Sequence, residues 1–195
     1  MLLFGGTFNP PHLGHIALLE NCVQAIKPDE TRILPLGIPP HKEANPTSVE
    51  HRIAMCQVFC KVLPNCIIDA RETERHGKSY TADTVKELRE EYPNTEFYLC
   101  IGSDMFLSFE TWYNYKYLLK ETKLVVHLRD GNDLEKVQKQ QEKFLNIGVE
   151  IVLLQDSFIA IASSEIREMH KRGESLKPLL PQQVYNYIVE HNLYR

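Results

Sequence analysis

Short apolar runs alternate along this chain with longer stretches in which apolar residues recur every three or four positions. The first run, residues 2–4, stops at Gly5-Gly6. Beyond it Ile16, Leu19, Val23 and Ile26 fall on one helical stripe. The pattern predicts a strand at 1–4 and a helix over 14–25, ended by Lys27-Pro28-Asp29. A second strand is predicted at 31–36. Thr47-Ser48-Val49-Glu50 has capping-box spacing and opens a helix that runs to about residue 62. An isoleucine-rich strand follows at 66–70, then a polar loop at 71–79, then a helix capped by Thr81 that ends near Tyr92-Pro93. Further strands are predicted at 96–101, 124–128 and 149–154, separated by aromatic-rich helical pieces over 105–119 and a charged helix over 134–145. Ser163-Ser164-Glu165-Ile166-Arg167 caps a short helix, and a terminal helix starts near Pro181.

Strands alternating with helices throughout define an α/β class, with a Rossmann-like, mainly parallel sheet and helices on both faces. No repeat, low-complexity segment or linker interrupts the pattern, so residues 1–195 read as one domain. Ligands of such sheets sit outside the carboxyl ends of the strands. The polar loops at 5–15, 37–42, 71–81 and 102–104, together with Arg129, all follow predicted strands.

Composition narrows the partners. Hydrophobic residues at 43% and charged residues at 25% are those of a soluble globular chain. A net charge of -4 argues against a general nucleic-acid binder, yet leaves room for a small anionic substrate, which needs only a local positive site. No apolar run approaches the roughly 20 residues that span a bilayer, and residues 1–4 lack the basic start and length of a signal peptide. Cys22, Cys56, Cys60, Cys66 and Cys100 are odd in number and form no CxxC pair. Free thiols in a reducing cytoplasm are the expectation, ahead of a zinc site.

The chemistry concentrates in residues 5–15. Gly5 and Gly6 let a backbone approach a ligand where a Cβ would intrude. The helix that follows presents its N-terminus to a bound phosphate. His12 and His15 are three residues apart, which on a first helical turn puts both rings on one side. A glycine pair alone is equally compatible with an ordinary βα turn, and metal binding competes for the two histidines, but no third ligand stands nearby. Contact with the oxygens of a polyphosphate suits them better.

Gly5-Gly6-Thr7-Phe8-Asn9-Pro10-Pro11-His12-Leu13-Gly14-His15 resembles the first motif of the HxGH nucleotidylyltransferases. Ser163-Ser164-Glu165-Ile166-Arg167 resembles their second motif, with Ala162 where a first serine is usual. The resemblance implies a nucleoside triphosphate attacked at its α-phosphate by another phosphate, with His15 closest to the reacting phosphorus and His12 beside it. Lys42, with His41, would reach the phosphates from the second loop, and Ser164 at the helix cap with Arg167 would hold the β- and γ-phosphates. Gly5, Gly6, Thr7, Phe8, Ile161 and Ser163 complete the expected ATP contacts. Mg²⁺ is expected to arrive with ATP, bridging its phosphates, and not on a dedicated protein site. The chain has no GxxxxGK[ST], which removes the P-loop fold.

Three further stretches are similar to bacterial nicotinate-nucleotide adenylyltransferases: Ser79-Tyr80-Thr81-Ala82-Asp83-Thr84 (their SYTxDT), Ile101-Gly102-Ser103-Asp104 with Trp112 (their IGxD…W), and Tyr187-Ile188 with Leu193-Tyr194 (their YI…LY tail). That branch implies transfer of AMP from ATP to nicotinate mononucleotide, giving deamido-NAD and pyrophosphate in cytoplasmic NAD biosynthesis. Trp112 offers a π face to the pyridinium, and the helix start at Tyr80-Thr81 offers amide donors to the carboxylate. Asp104 is placed to accept from a ribose hydroxyl, and Arg129 approaches one of the two nucleotides. Another adenylyl- or cytidylyltransferase of the superfamily, such as phosphopantetheine adenylyltransferase, and a regulatory module that has lost catalysis are the competing readings. Neither nucleic acid nor membrane is expected as a partner, and whether the chain forms a homo-oligomer is open.

Overall fold

A computed structural model describes residues 1–37, 47–75, 77–128, 134–155 and 161–195 of the chain. Its centre is a six-stranded sheet of β1 (Leu2–Gly6), β2 (Thr31–Pro35), β3 (Cys66–Ile68), β4 (Phe97–Gly102), β5 (Thr122–His127) and β6 (Ile151–Leu154), in the order β3-β2-β1-β4-β5-β6. Every described strand pair is parallel. The chain is therefore α/β and Rossmann-like, and the order reverses between β1 and β4, where a doubly wound sheet opens its ligand crevice.

The strands are continuous apolar runs because both faces are covered. Successive side chains point to opposite faces, so Leu2, Phe4, Ile33, Cys100 and Val125 enter one core and Leu3, Leu34, Leu99, Ile101, Leu124 and Val126 the other. The first core is closed by α1 (Leu13–Ile26), α2 (Val49–Val62), α8 (Ser163–Lys171) and α9 (Gln182–Glu190). The second lies under α4 (Thr81–Glu91), α5 (Ser103–Leu107), α6 (Tyr115–Glu121) and α7 (Leu134–Leu145). Among the described residues no helix is long and apolar enough to cross a membrane. The five cysteines are free thiols.

Several boundaries differ from the sequence reading, each for a local reason. β1 runs on through both glycines, which pair with Leu34 and Pro35 of β2. The predicted polar loop at 71–79 contains α3 (Arg71–Glu74), which turns Glu72 into the interior. Ser48, not Thr47, caps α2, its hydroxyl accepting from the His51 N–H at 3.4 Å. Thr81 is the first residue of α4, and its cap is Tyr80. The aromatic stretch breaks into α5, a 3₁₀ turn (Phe109–Thr111) and α6.

Candidate active site

β1 delivers residues 7–10 to the crevice in an unusual conformation. Phe8 has φ 48°, left-handed backbone that costs a bulky L-residue about 1–3 kcal/mol. Burial of its ring opposes that cost by roughly 1.5–3 kcal/mol. Phe8 is 1% exposed and packs on Phe4, Phe59 and His15 at centroid distances of 5.5, 5.2 and 5.2 Å. The ring folds back under Gly6, where a Cβ would stand 2.7 Å from it. Gly6 thus makes room for Phe8, a reason internal to the fold. Gly5 is exposed, and a Cβ there would have Leu34 O at 4.0 Å as its nearest neighbour.

The chain then passes a cis Asn9–Pro10 bond and enters α1 with His12 as N-cap. The two imidazoles stack at 3.7 Å between centroids with a 32° tilt. The His12 backbone N–H donates to His15 Nδ1 at 3.3 Å. This is the reverse arm of a capping box, with an imidazole in place of the usual carboxylate. An Nδ1 that accepts places the neutral ring's proton on Nε2, which is then a donor. His12 is buried and His15 half-buried.

The second motif reaches the same loop. α8 starts at Ser163 behind Ala162, its N-cap, which supplies no side-chain bond. Ser164 is therefore not the cap; it lies one residue inside and is exposed. Ser163 Oγ donates to the Pro10 carbonyl at 2.9 Å, and Arg167 Nη1 to the Asn9 carbonyl at 2.8 Å. Ile161 is half-buried just ahead of the helix. Lys42, its neighbour His41 and Arg129 lie outside the described residues.

On the adjacent strand, β4 leads directly into α5, where Asp104 is exposed. The 3₁₀ turn beyond it lays Trp112 on Phe109, 4.9 Å between centroids at 30°. Tyr113 stacks on Tyr80 at 4.6 Å, so the turn after Trp112 and the start of α4 are in contact. Thr81, half-buried, opens that helix. A polar network fixes the α4 start from behind: Arg75 Nη1 donates to Ser79 Oγ (3.0 Å) and Thr84 Oγ1 (2.8 Å), and Thr84 Oγ1 donates to Glu72 Oε1 (2.7 Å). Arg75 also holds Glu87 in two bonds of 3.1 and 2.6 Å. Burial pushes the Glu72 carboxyl above the usual range, against the pull of Thr84 and Arg75.

Sequence reasoning missed Glu72, Arg75, Asn9 and Arg52, and noted Tyr194 only as part of a tail. Arg52 had a signal, being a charged residue on the same helical stripe as Met55, Cys56 and Phe59. It is 1% exposed and donates to the Thr7 carbonyl at 2.9 Å.

The chain matches the model of the cytidylyltransferase-like family over residues 3–169. It is 35% identical to the nicotinate-nucleotide adenylyltransferase of Salmonella typhimurium over 207 aligned residues, covering 99% of this chain and 97% of that one. It is 36% identical to a probable nicotinate-nucleotide adenylyltransferase of Oceanobacillus iheyensis, covering 98% and 95%. Its fold superposes on that of Plasmodium falciparum nicotinic acid mononucleotide adenylyltransferase, solved with NaAD, with a TM-score of 0.80 at 22% identity and 99% and 96% coverage. The chain belongs to the cytidylyltransferase-like family, among the relatives of the nicotinate-nucleotide adenylyltransferases.

Proposed function

We propose that this protein transfers AMP from ATP to nicotinate mononucleotide, giving deamido-NAD and pyrophosphate. The observation that carries the reading is the His12–His15 pair beside a strained loop after β1, in a chain whose neighbouring strand β4 leads on to Trp112 and to the Tyr80–Tyr113 contact. One half offers donors to a polyphosphate and the other an aromatic wall to a pyridinium.

The chemistry asks little of a general base. A phosphate monoester has a second pKa of about 6, so the attacking phosphate is already an anion at neutral pH. What the protein supplies is alignment and stabilisation of charge at the transferring phosphorus and the leaving pyrophosphate. His15, protonated at Nε2, donates toward the α-phosphate in this reading, with His12 beside it. The N-termini of α1 and α8 add positive field, and Arg167 and Lys42 meet the outer phosphates. Among the described residues no cluster of three or more His, Cys, Asp and Glu side chains exists to cage a cation. Mg²⁺ would come with ATP, on its phosphates, and would supply neutralisation of their charge.

The test is a single assay. Purified protein with ATP, Mg²⁺ and nicotinate mononucleotide should release pyrophosphate and form deamido-NAD in equal amounts. Pyrophosphate release with phosphopantetheine but not with the mononucleotide would replace this reading with that of a phosphopantetheine adenylyltransferase.

A further inference from the structure

Residues 7–10 are strained at Phe8 (φ 48°), and such backbone persists only where its surroundings over-determine it. Here four side chains from distant parts of the chain do so. Arg52 Nη1 donates to the Thr7 carbonyl (2.9 Å), Arg167 Nη1 to the Asn9 carbonyl (2.8 Å), Ser163 Oγ to the Pro10 carbonyl (2.9 Å), and the Tyr194 hydroxyl to Asn9 Oδ1 (2.6 Å). Ser163 and Arg167 already belong to the phosphate site as read above. Arg52 and Tyr194 do not.

Neither residue is explained by packing alone. A buried guanidinium is ordinarily paired with a carboxylate, yet no described carboxylate bridges Arg52, and its buried Nε has no hydrogen-bond partner among the described residues. Tyr194 stands one residue from the chain's end, in left-handed backbone at φ 67°, with its hydroxyl carried inward to Asn9. Burial pushes that hydroxyl up to about 12, against Thr47, Arg167 and Arg52, so it remains a donor across the working pH range.

We propose that Arg52 and Tyr194 are positioning residues for adenylyl transfer, a clamp from α2 and the C-terminal tail that fixes residues 7–10 against the phosphates of ATP. A peptide carbonyl is the negative end of its dipole, and turned toward a triphosphate it would repel it. With the Thr7, Asn9 and Pro10 carbonyls committed to protein donors, the loop meets the polyphosphate without that penalty and without reorganising during the reaction. The inference rests on the reading that residues 5–15 bind ATP.

Tyr194→Phe removes one hydroxyl and little else. It should lower kcat by about tenfold, a fraction of the roughly hundredfold that a 1 Å misplacement can cost, with KM for nicotinate mononucleotide unchanged. Asn9→Ala should act in the same direction, and the double variant should lose less than the product of the two single losses, since both remove the Tyr194–Asn9 bond. Arg52→Lys should recover part of the activity lost in Arg52→Met. Wild-type kcat in Tyr194→Phe, or losses that multiply in the double variant, would overturn the clamp. A second readout, the rise in melting temperature with MgATP alone, separates the clamp from the reaction. A wild-type protein that MgATP stabilises but that forms no dinucleotide sinks the proposed reaction, while a smaller MgATP shift in Tyr194→Phe still supports the clamp. Equal shifts in the two proteins overturn the clamp, and no shift in the wild type overturns both.

Discussion

The His15 imidazole accepts, at Nδ1, the backbone N–H of His12, 3.3 Å away, while the two rings stack at 3.7 Å. One residue thus fixes the other's tautomer and orientation before any substrate arrives, which is what charge stabilisation in a transition state requires. A second proton on His15 Nδ1 would face the His12 N–H, donor against donor.

From this follows the behaviour of His15→Ala. It should lower kcat by about 10²–10³, with KM for ATP changing much less, in steady-state pyrophosphate release. His12→Ala should act in the same direction with a smaller share. Unchanged kcat at saturating substrates would remove His15 from the reaction.

Gly5 and Gly6 should part company. Gly6→Ala sets a methyl 2.7 Å from the buried Phe8 ring, and overpacking of this kind costs about 1–3 kcal/mol. Gly5→Ala meets nothing closer than Leu34 O at 4.0 Å, so its stability should stay near that of the wild type. Its activity should nonetheless fall, because the methyl would stand between strand and phosphate. Thermal melts and kcat/KM on both variants check the contrast; full activity in Gly5→Ala would mean that no ligand approaches there.

Arg167→Ala should affect both directions of the reaction. Its guanidinium holds the Asn9 carbonyl at 2.8 Å and, in the proposed function, grips the leaving pyrophosphate. Synthesis of deamido-NAD and its pyrophosphorolysis to ATP should each slow by on the order of 10². Loss confined to one direction would contradict a role at the pyrophosphate, since one transition state serves both.

Much of this architecture was legible from apolar periodicity. The strands are read to within two residues at each end and α7 to the residue, because their apolar residues bury against a neighbouring layer. Polar packing has no such period. Residues 71–79 read as a loop, yet Glu72, Arg75 and Ser79 are linked with Thr84 by hydrogen bonds inside the protein. Residues 5–15 announce themselves through glycines and histidines, but the donors that hold residues 7–10 lie 45 to 185 positions away in the chain. Nothing local in the sequence brings Tyr194 to Asn9. The serines of the second motif read as caps, and the structure uses Ser163 on the Pro10 carbonyl instead.

Asp69 gives a pH-dependent stability. Burial alone would raise its carboxyl, but the bonds from Arg71 and Arg32 outweigh burial and hold it below the usual range. A depressed folded-state value stabilises the protein above the ordinary carboxylate range and loses that contribution as pH falls through the folded value. Asp69→Asn removes the charge that faces Arg32 and Arg71, while Glu30 and Tyr92 still hold the Arg32 guanidinium, and should cost about 1–3 kcal/mol near neutrality. The gap between variant and wild type in denaturant melts should close as the pH drops below about 4. A gap independent of pH would show that the loss is one of shape and not of charge.

The last prediction concerns nicotinate against nicotinamide. Tyr80 caps α4 and stacks on Tyr113 at 4.6 Å, so the free amides of the α4 start lie beside the turn that carries Trp112. The network of Arg75, Ser79, Thr84 and Glu72 holds that helix start rigid. A ring stacked on Trp112 would then present its substituent to backbone donors. A carboxylate accepts at both oxygens, whereas an amide must turn an NH₂ toward one of those donors. One mismatched contact and one lost charge-assisted bond cost roughly 3–5 kcal/mol, or about 10²–10⁴ in kcat/KM. Both rings are pyridinium, so Trp112→Ala should slow the two mononucleotides by similar factors and leave their ratio standing. Thr84→Val, which cuts the network behind the helix start without touching substrate, should shrink the ratio. Measuring kcat/KM for both mononucleotides on wild type and the two variants decides the matter. Equal values in the wild type, or a ratio that collapses in Trp112→Ala and survives in Thr84→Val, would move the discrimination from the α4 start to the aromatic wall.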